Sequence, residues 1–417
     1  MPRKAELEFG QVPRPVRLHG AIVAIERATM PHVRRLLVVL ATFVLAGCEA
    51  SHGALSPVTP QVTVTRTMGP PKLTPTPTRT PQPRTVTIIG SGDVLIHPPV
   101  WEQAATDARA EGRTGYDFGP IFASIAPDTR AADLAICEME TPLAPPSGPF
   151  QGYPTFSAPP QVLTALRGVG YDSCTTASNH TIDQGYAGLK RTLDELDAAR
   201  LKHTGSARTP AEAARPLIIT MPNGARVAQL AYSFGFNGLT RPAGQEWEAN
   251  LTDVPTILAA ARRAKAAGAD IVVLSMHWGI EYNHGVTALQ EQQARALLAS
   301  PDIDVILGDH AHAVEPFQRI DGKWVAFCMG DQISRHEVIR NDDREGAMPR
   351  FTFTEVAPHR WKITKAEAIP TWVDVAPDIR LIDLPRAPAT PTYLAAHQRI
   401  AGYLAALGAL RDGLIIR

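Results

Sequence analysis

The stretch Thr85-Val86-Thr87-Ile88-Ile89-Gly90-Ser91-Gly92-Asp93-Val94-Leu95-Ile96-His97 opens the folded part of the chain and sets the pattern for the rest. Its first five residues are β-branched and suit a pleated strand. The run ends at Gly90-Ser91-Gly92-Asp93, where a carboxylate follows the glycines. Similar short apolar runs recur at 134–137, 171–176, 226–232, 271–276, 304–307 and 324–328. Helical patterns lie between them. In 186–201, Leu189, Leu193 and Leu196 recur at helix-like spacing, and 254–267 and 288–299 are rich in alanine. Two further strands are expected at 351–356 and 361–369, and a terminal helix at 392–411. Strands alternating with helices argue an α/β fold. No internal repeat is visible.

Ligands in open α/β folds bind beyond the carboxyl ends of the strands. After the first strand come Gly92-Asp93 and His97. The second is followed by Glu138-Met139-Glu140-Thr141, the third by Ser178-Asn179-His180 with Asp183 and Gly185. His277-Trp278-Gly279 with Glu281-Tyr282 follows the run at 271–276. Gly308-Asp309-His310-Ala311-His312 follows the run at 304–307, and Gly330-Asp331 follows the last. Each motif alone has an ordinary reading: a glycine-aspartate turn, a helix cap, an Asn-His turn. His310 and His312 alternate, so an extended segment would place both imidazoles on one side. Their joint occurrence at strand ends points to one shared metal or catalytic site. Imidazole with carboxylate suits Zn, Mn or Fe rather than Ca, and the lack of clustered thiols argues against a structural zinc.

The 417 residues carry 41 Lys+Arg and 41 Asp+Glu, so bulk charge gives no sign of a nucleic-acid partner. A hydrophobic fraction of 44% fits a globular chain and is too low for a multispan membrane protein. Four cysteines exclude a disulfide scaffold. Cys137, Cys174 and Cys328 fall in expected strands, where three buried free thiols are the reading. Of 13 histidines, six lie in or beside the site motifs: His97, His180, His277, His310, His312 and the nearby His284. The 37 prolines are nearly twice the usual share of roughly 5%.

Much of that proline lies near the start. Residues 30–48 read as a lipoprotein signal peptide: Arg34-Arg35, an apolar core from Leu36 to Leu45, then Leu45-Ala46-Gly47-Cys48. The core is too short to span a bilayer, which needs about 20 residues. The ending resembles a bacterial lipobox, in which the cysteine, here Cys48, is lipidated; two acyl chains give stable anchoring. Residues 1–29 are mixed and unpatterned, so translation is expected to start at Met30, with the preceding residues a gene-start artefact. Residues 49–85 read as a disordered Pro/Thr-rich tether, able to reach roughly 100 Å as extended polyproline-like chain. A main domain over 86–375 and a C-terminal extension with a helix over 376–417 complete the organisation.

The order Gly-Asp-x-x-x-His, Glu, Asn-His, His, Gly-x-His-x-His resembles the calcineurin-like metallophosphoesterases, and more closely the CapA family of capsule and poly-γ-glutamate synthesis. The matching residues span about 86–340 and include Gly92-Asp93, His97, Glu140-Thr141-Pro142, Ser178-Asn179-His180, His277-Trp278-Gly279, Gly308, His310, His312 and Gly330. Glu138 stands where Asn or His is commoner, and Asp331-Gln332 replaces a usual Asn-Phe. Glu140 takes the place of a bridging Asp. The resemblance implies a metallophosphoesterase-like layered α/β sandwich with two divalent ions (Mn, Zn or Fe). One would be held by Asp93, His97, Glu140 and His312, the other by Glu140, Asn179, His277 and His310. His180 would protonate a leaving group or orient substrate, or else only pack against the ligands. Asp183 and Glu281 could orient imidazoles, though Asp183 equally suits a helix cap. Glu138 is open between ligand and solvent-facing charge. Trp278 and Tyr282 are open between substrate wall and core. The implied role is an extracytoplasmic, lipid-anchored protein that makes, anchors or trims an anionic envelope polymer with its synthase subunits, by metal-dependent hydrolysis or transfer. A non-catalytic polymer- or partner-binding member and a general metal-dependent phosphodiesterase are the alternatives.

Overall fold

The computed structural model describes residues 83–417. The expected leader, signal peptide, Cys48 and the tether up to residue 82 lie outside the described residues.

Among these residues fifteen strands form: β1 (Thr85–Val94), β2 (Leu134–Glu138), β3 (Ser173–Thr175), β4 (Lys202–Thr204), β5 (Leu217–Thr220), β6 (Arg226–Ser233), β7 (Ile271–Trp278), β8 (Val305–His310), β9 (Phe317–Ile320), β10 (Lys323–Ala326), β11 (Asp331–Ile333), β12 (Glu345–Ala357), β13 (Arg360–Asp374), β14 (Arg380–Asp383) and β15 (Leu414–Ile416). The first sheet runs β14-β13-β12-β1-β2-β3-β4, with β11 on β1 and β15 on β13. The second runs β5-β6-β7-β8-β10-β9. Strands β1 to β4 are parallel, as are β6, β7, β8 and β10, so in each sheet their carboxyl ends share one edge.

Alternation along the strands sets the layers. Ile88 and Ile136 of the first sheet meet Val227, Val273 and Leu307 of the second in one core. Their neighbours Ile89, Ala135 and Cys137 point the other way, onto Val100, Leu163, Leu166, Leu189 and Leu193. Those come from helices Pro98–Ala110, Val162–Val169 and Gly185–Ala198. On the far side, Val272, Leu274 and Met276 pack on Ile257, Ala261, Ala294 and Leu297 of helices Val254–Ala266 and Ala288–Leu298. Each of the buried Val, Leu, Ile and Met side chains among them contributes about 1.5–3 kcal/mol. The product is an α/β sandwich of four layers, the layered α/β class expected from the sequence.

Several expectations change. Thr85, assigned to the end of the tether, is the first residue of β1. Helix Pro98–Ala110 was not foreseen; its two prolines sit in the first turn, where a missing N–H costs nothing. Residues 376–417 are no appendage. β14 and β15 both pair with β13, and helix Pro391–Ala405 packs Ile400 and Leu404 into the inter-sheet core. Cys137 and Cys174 are not free thiols. Parallel register places them opposite each other on β2 and β3, and they form a disulfide. An odd count forbids complete pairing but not one pair; among the described residues Cys328 alone stays free, and it is buried.

Candidate metal centre

The site forms where the carboxyl ends of both sheets meet. Asp93 is the penultimate residue of β1, and register places it beside Glu138 of β2 and Asp331 of β11. The approach of β11 depends on Gly92: a Cβ there would lie 1.7 Å from the Gly330 carbonyl oxygen. Gly330 itself has φ +69, a conformation that favours glycine. From the second sheet, register sets His277 of β7 beside Asp309 of β8, and Trp278 beside His310. A buried contact joins the sheets: the His310 N–H donates to both Asp93 carboxylate oxygens at 3.2 Å. His310 and His312 hold φ values of +93 and +50, backbone strain of the kind that collects at functional sites.

The side chains converge. His277 Nδ1 is 3.2 Å from Glu138 Oε1 and 3.9 Å from Asp93 Oδ1. Its Nε2 is 3.0 Å from Asn179 Oδ1 and 4.0 Å from Glu140 Oε1. His312 Nδ1 lies 3.2 Å from Asp93 Oδ2 and 2.8 Å from Asp331 Oδ1, with Nε2 3.9 Å from Glu140. The His310 ring lies 4.7 Å from that of His277, under the half-exposed ring of Phe234 at 4.4 Å. His180 is hydrogen-bonded through Nδ1 to Asp183 at 2.7 Å, and its Nε2 is 3.5 Å from Asn237 Nδ2. Asn237 Oδ1 in turn accepts from Asn179 Nδ2 at 3.2 Å.

Thus Asp93, Glu140, Asn179, His180, His277, His310 and His312 come together. Asp183 orients His180 and also accepts from the Phe156 N–H; it does not cap the helix that follows. Glu138 is buried in the cluster, not turned to solvent. Other expectations shift. His97 lies at one side, with Nδ1 taken by the Arg335 N–H at 3.2 Å and its ring 4.8 Å from that of His336. Glu281 is exposed and makes no hydrogen bond to an imidazole among the described residues, because the chain turns outward after Gly279 (φ +103). His284 leaves the site: its ring stacks on Tyr403 at 3.6 Å. Trp278 is core, its Nε1 donating to the Phe327 carbonyl, whereas Tyr282 faces His312 and His336. Asp309, Asp331, His336, Phe234 and Asn237 were missed as site residues. Of these, Asp309 and Asp331 carried a signal, each as a carboxylate at a strand end.

Burial dominates the electrostatics. It pushes the carboxyls of Glu138 and Asp309 well above the usual range, with neighbouring Asp93 adding to both. Glu140 is raised too, by burial, against the opposing pull of His312. Burial drives His277 well below its ordinary value, His310 down to about 2 and His97 to about 3. Neutral imidazole is the metal-binding form. For His312 burial also acts downward, but Asp331 and Glu140 overcome it and raise the ring.

Both oxygens of Glu138 and of Glu140, with Nδ1 of His277 and of His310, are buried without a hydrogen-bond partner. Such orphans are costly unless something pairs with them. Asp93, Glu140 and His312 place ligand atoms within 4.8 Å of one another, as do Asp93, Glu138 and His277. Nitrogen and carboxylate donors so gathered fit a divalent cation.

The fold and site define an α/β domain with candidate metal-binding clusters at the carboxyl ends of its strands. Residues 87–336 match the family described as bacterial capsule synthesis protein PGA_cap, and the chain belongs to that family. It is 25% identical over 246 residues to the PGA biosynthesis protein CapA of Bacillus subtilis, covering 58% of this chain and 64% of that one. Against the capsule biosynthesis protein CapA of Bacillus anthracis it is 27% identical over 191 residues, 45% of this chain and 46% of that one. The chain therefore spans about half to two thirds of the length of these relatives. Among solved structures, the calcineurin-like phosphoesterase YfkN from Bacillus subtilis aligns over 77% of this chain and 97% of that one, at 14% identity and a TM-score of 0.43.

Proposed function

We propose that this protein is a divalent-metal-dependent hydrolase or transferase of the cell envelope, acting on ester or amide bonds of an anionic polymer of the poly-γ-glutamate kind. The observation that carries the reading is the set of buried atoms left without a hydrogen-bond partner: both oxygens of Glu138 and of Glu140, and Nδ1 of His277 and of His310. Family membership and the names of the relatives, which refer to PGA and capsule biosynthesis, support this polymer class, and the polymer's synthase subunits are proposed as partners.

Two divalent ions (Mn, Zn or Fe), held by Asp93, Glu138, Glu140, Asn179, His277, His310 and His312, would supply charge stabilisation and an activated nucleophile. The chain's own groups do the rest. Asp183 fixes the His180 ring through Nδ1, leaving Nε2 to hold or pass a proton at the leaving group. Asn237 ties that nitrogen to the ligand Asn179. Arg340, over the Tyr282 ring at 4.9 Å, offers positive charge at the rim to an anionic chain. For location, we propose an extracytoplasmic protein anchored to the membrane by lipid on Cys48. The Cys137–Cys174 disulfide supports an oxidising compartment.

The test incubates full-length protein with poly-γ-glutamate and Mn²⁺, Zn²⁺ or Fe²⁺, and follows polymer length. Metal-dependent shortening or end-group transfer is expected, lost on chelation and reduced at least about 100-fold by Glu140→Gln. Polymer that co-sediments with the protein but never changes length would leave a binding protein instead. For the anchor, Cys48→Ala is expected to move the protein from the membrane to the soluble fraction; an unchanged distribution would remove the lipid.

Asp183→Asn gives a further check. It is expected to lower kcat with little change in KM or in metal content, since the ligands do not lean on Asp183. Loss of bound metal in this variant would make Asp183 a support of the ligands.

A further inference from the structure

We propose that His312, Asp331 and His336 hold a divalent cation of the zinc or manganese class, a position outside the ligand set that the family resemblance implies. The proposal rests on the metal-centre reading above. Asp331 stands where the family usually has Asn, and His336 belongs to none of the matching motifs. Asp331 is 1% exposed, and its two oxygens are divided between two rings. Oδ1 is 2.8 Å from His312 Nδ1, and Oδ2 is 2.9 Å from His336 Nε2. The three donor atoms lie within 4.8 Å of one another. Two imidazoles and one carboxylate leave coordination positions open, a donor set that suits Zn, Mn or Fe.

The surroundings hold these donors in place. Tyr282 Oη is 3.4 Å from His336 Nδ1, on the far side of the ring from Asp331. Such an outer contact fixes which nitrogen faces a ligand position. The His97 ring packs 4.8 Å from His336 and its Nδ1 is engaged by the Arg335 N–H, so His97 supports this pocket from outside. Asp331 is the cross-strand partner of Asp93, one strand spacing of about 4.8 Å away. His312 sits between the two carboxylates, at 3.2 Å from Asp93 and 2.8 Å from Asp331. The pocket is thus contiguous with the rest of the centre, and His312 is shared.

Full-length protein, stripped of metal and titrated with Co²⁺, tests the assignment. Bound equivalents and the visible absorption of the Co²⁺ form are the readouts. Asp331→Asn is nearly isosteric and restores the family's usual residue; His336→Gln keeps a donor towards Asp331. Each variant is expected to bind one equivalent fewer than the wild type, or to bind that equivalent at least tenfold more weakly. His336→Gln should also change the visible spectrum, because a nitrogen ligand is lost. Variants with wild-type stoichiometry, affinity and spectrum would overturn the proposal alone and leave an ion-paired Asp331. Wild-type protein that binds no Co²⁺ would overturn both this proposal and the metal-centre reading. Thermal unfolding of each variant shows that it is folded, and either variant suffices if the other is not.

Discussion

Gly92→Ala is expected to prevent stable folding. An alanine Cβ at this position would lie 1.7 Å from the Gly330 carbonyl oxygen and 2.9 Å from its carbon. The obstacle is backbone, so no rotamer change relieves it. β11 would have to leave β1, breaking the Asp93 N–H to Gly330 carbonyl bond of 3.2 Å and drawing Asp331 away from Asp93. Gly330 cannot give way easily, because its own surroundings are close: the Glu345 carbonyl would lie 2.4 Å from a Cβ there. A loss of at least about 4 kcal/mol is expected, the range reserved for severe backbone or core disruption. Urea denaturation, or the yield of soluble protein, measures it. A loss under about 1 kcal/mol would show that β11 is not needed where it lies. Gly402→Ala is the contrast. It lies inside helix Pro391–Ala405 with open space around it, and should gain about 0.5–1 kcal/mol.

Removing divalent cations should destabilise the protein, and more so as pH rises above neutrality. Burial raises Glu138, Glu140 and Asp309 in the folded chain, while the unfolded chain keeps ordinary carboxyls. The folded form then binds more protons, so these groups contribute stability that is full below the ordinary carboxyl value and lost as pH rises through their folded values. His97 and His310, lowered to about 3 and 2, act oppositely: their contribution is present above the ordinary imidazole value of about 6.5 and is lost as pH falls. Above pH 7 these imidazoles are neutral whether folded or not. The raised carboxyls and the raised His312 act in one direction, each losing its contribution as pH rises through its folded value. A cation neutralises the carboxylates and should reduce that loss. At a hundred times its dissociation constant it adds about 2.7 kcal/mol. Thermal melts between pH 7 and 9, with and without chelator, report the difference. Superimposable melts at every pH would remove the cation from the account.

The sequence displayed the α/β alternation because β1, β6, β7 and β8 are long enough to show a pattern. Among the strands of three or four residues, β3 and β10 lie in readable apolar runs, whereas β4, β9 and β11 have too little periodicity to be seen. The same division runs through the site. Asp93, Glu140, Asn179, His277, His310 and His312 follow readable strands, so the strand-end rule reached them. Asp331 opens a three-residue strand, and His336, Asn237 and Phe234 lie in loops. Their positions depend on register and loop path, which no local spacing encodes. Cys137 and Cys174 teach the same lesson: pairing follows from parallel register across β2 and β3, not from the parity of the count.

The contact from the His310 amide to Asp93 joins residues 217 positions apart. Everything from β2 to β8 must be threaded between them before the bond can close. Loops of this length close slowly, and only after the local strand–helix units exist. The ligand cluster is therefore an assembled object that neither sheet contains alone: a fragment ending before β6 carries Asp93, Glu140 and Asn179 but lacks His277, His310 and His312. Competence to take up a cation then reports that both halves of the chain have finished folding and met.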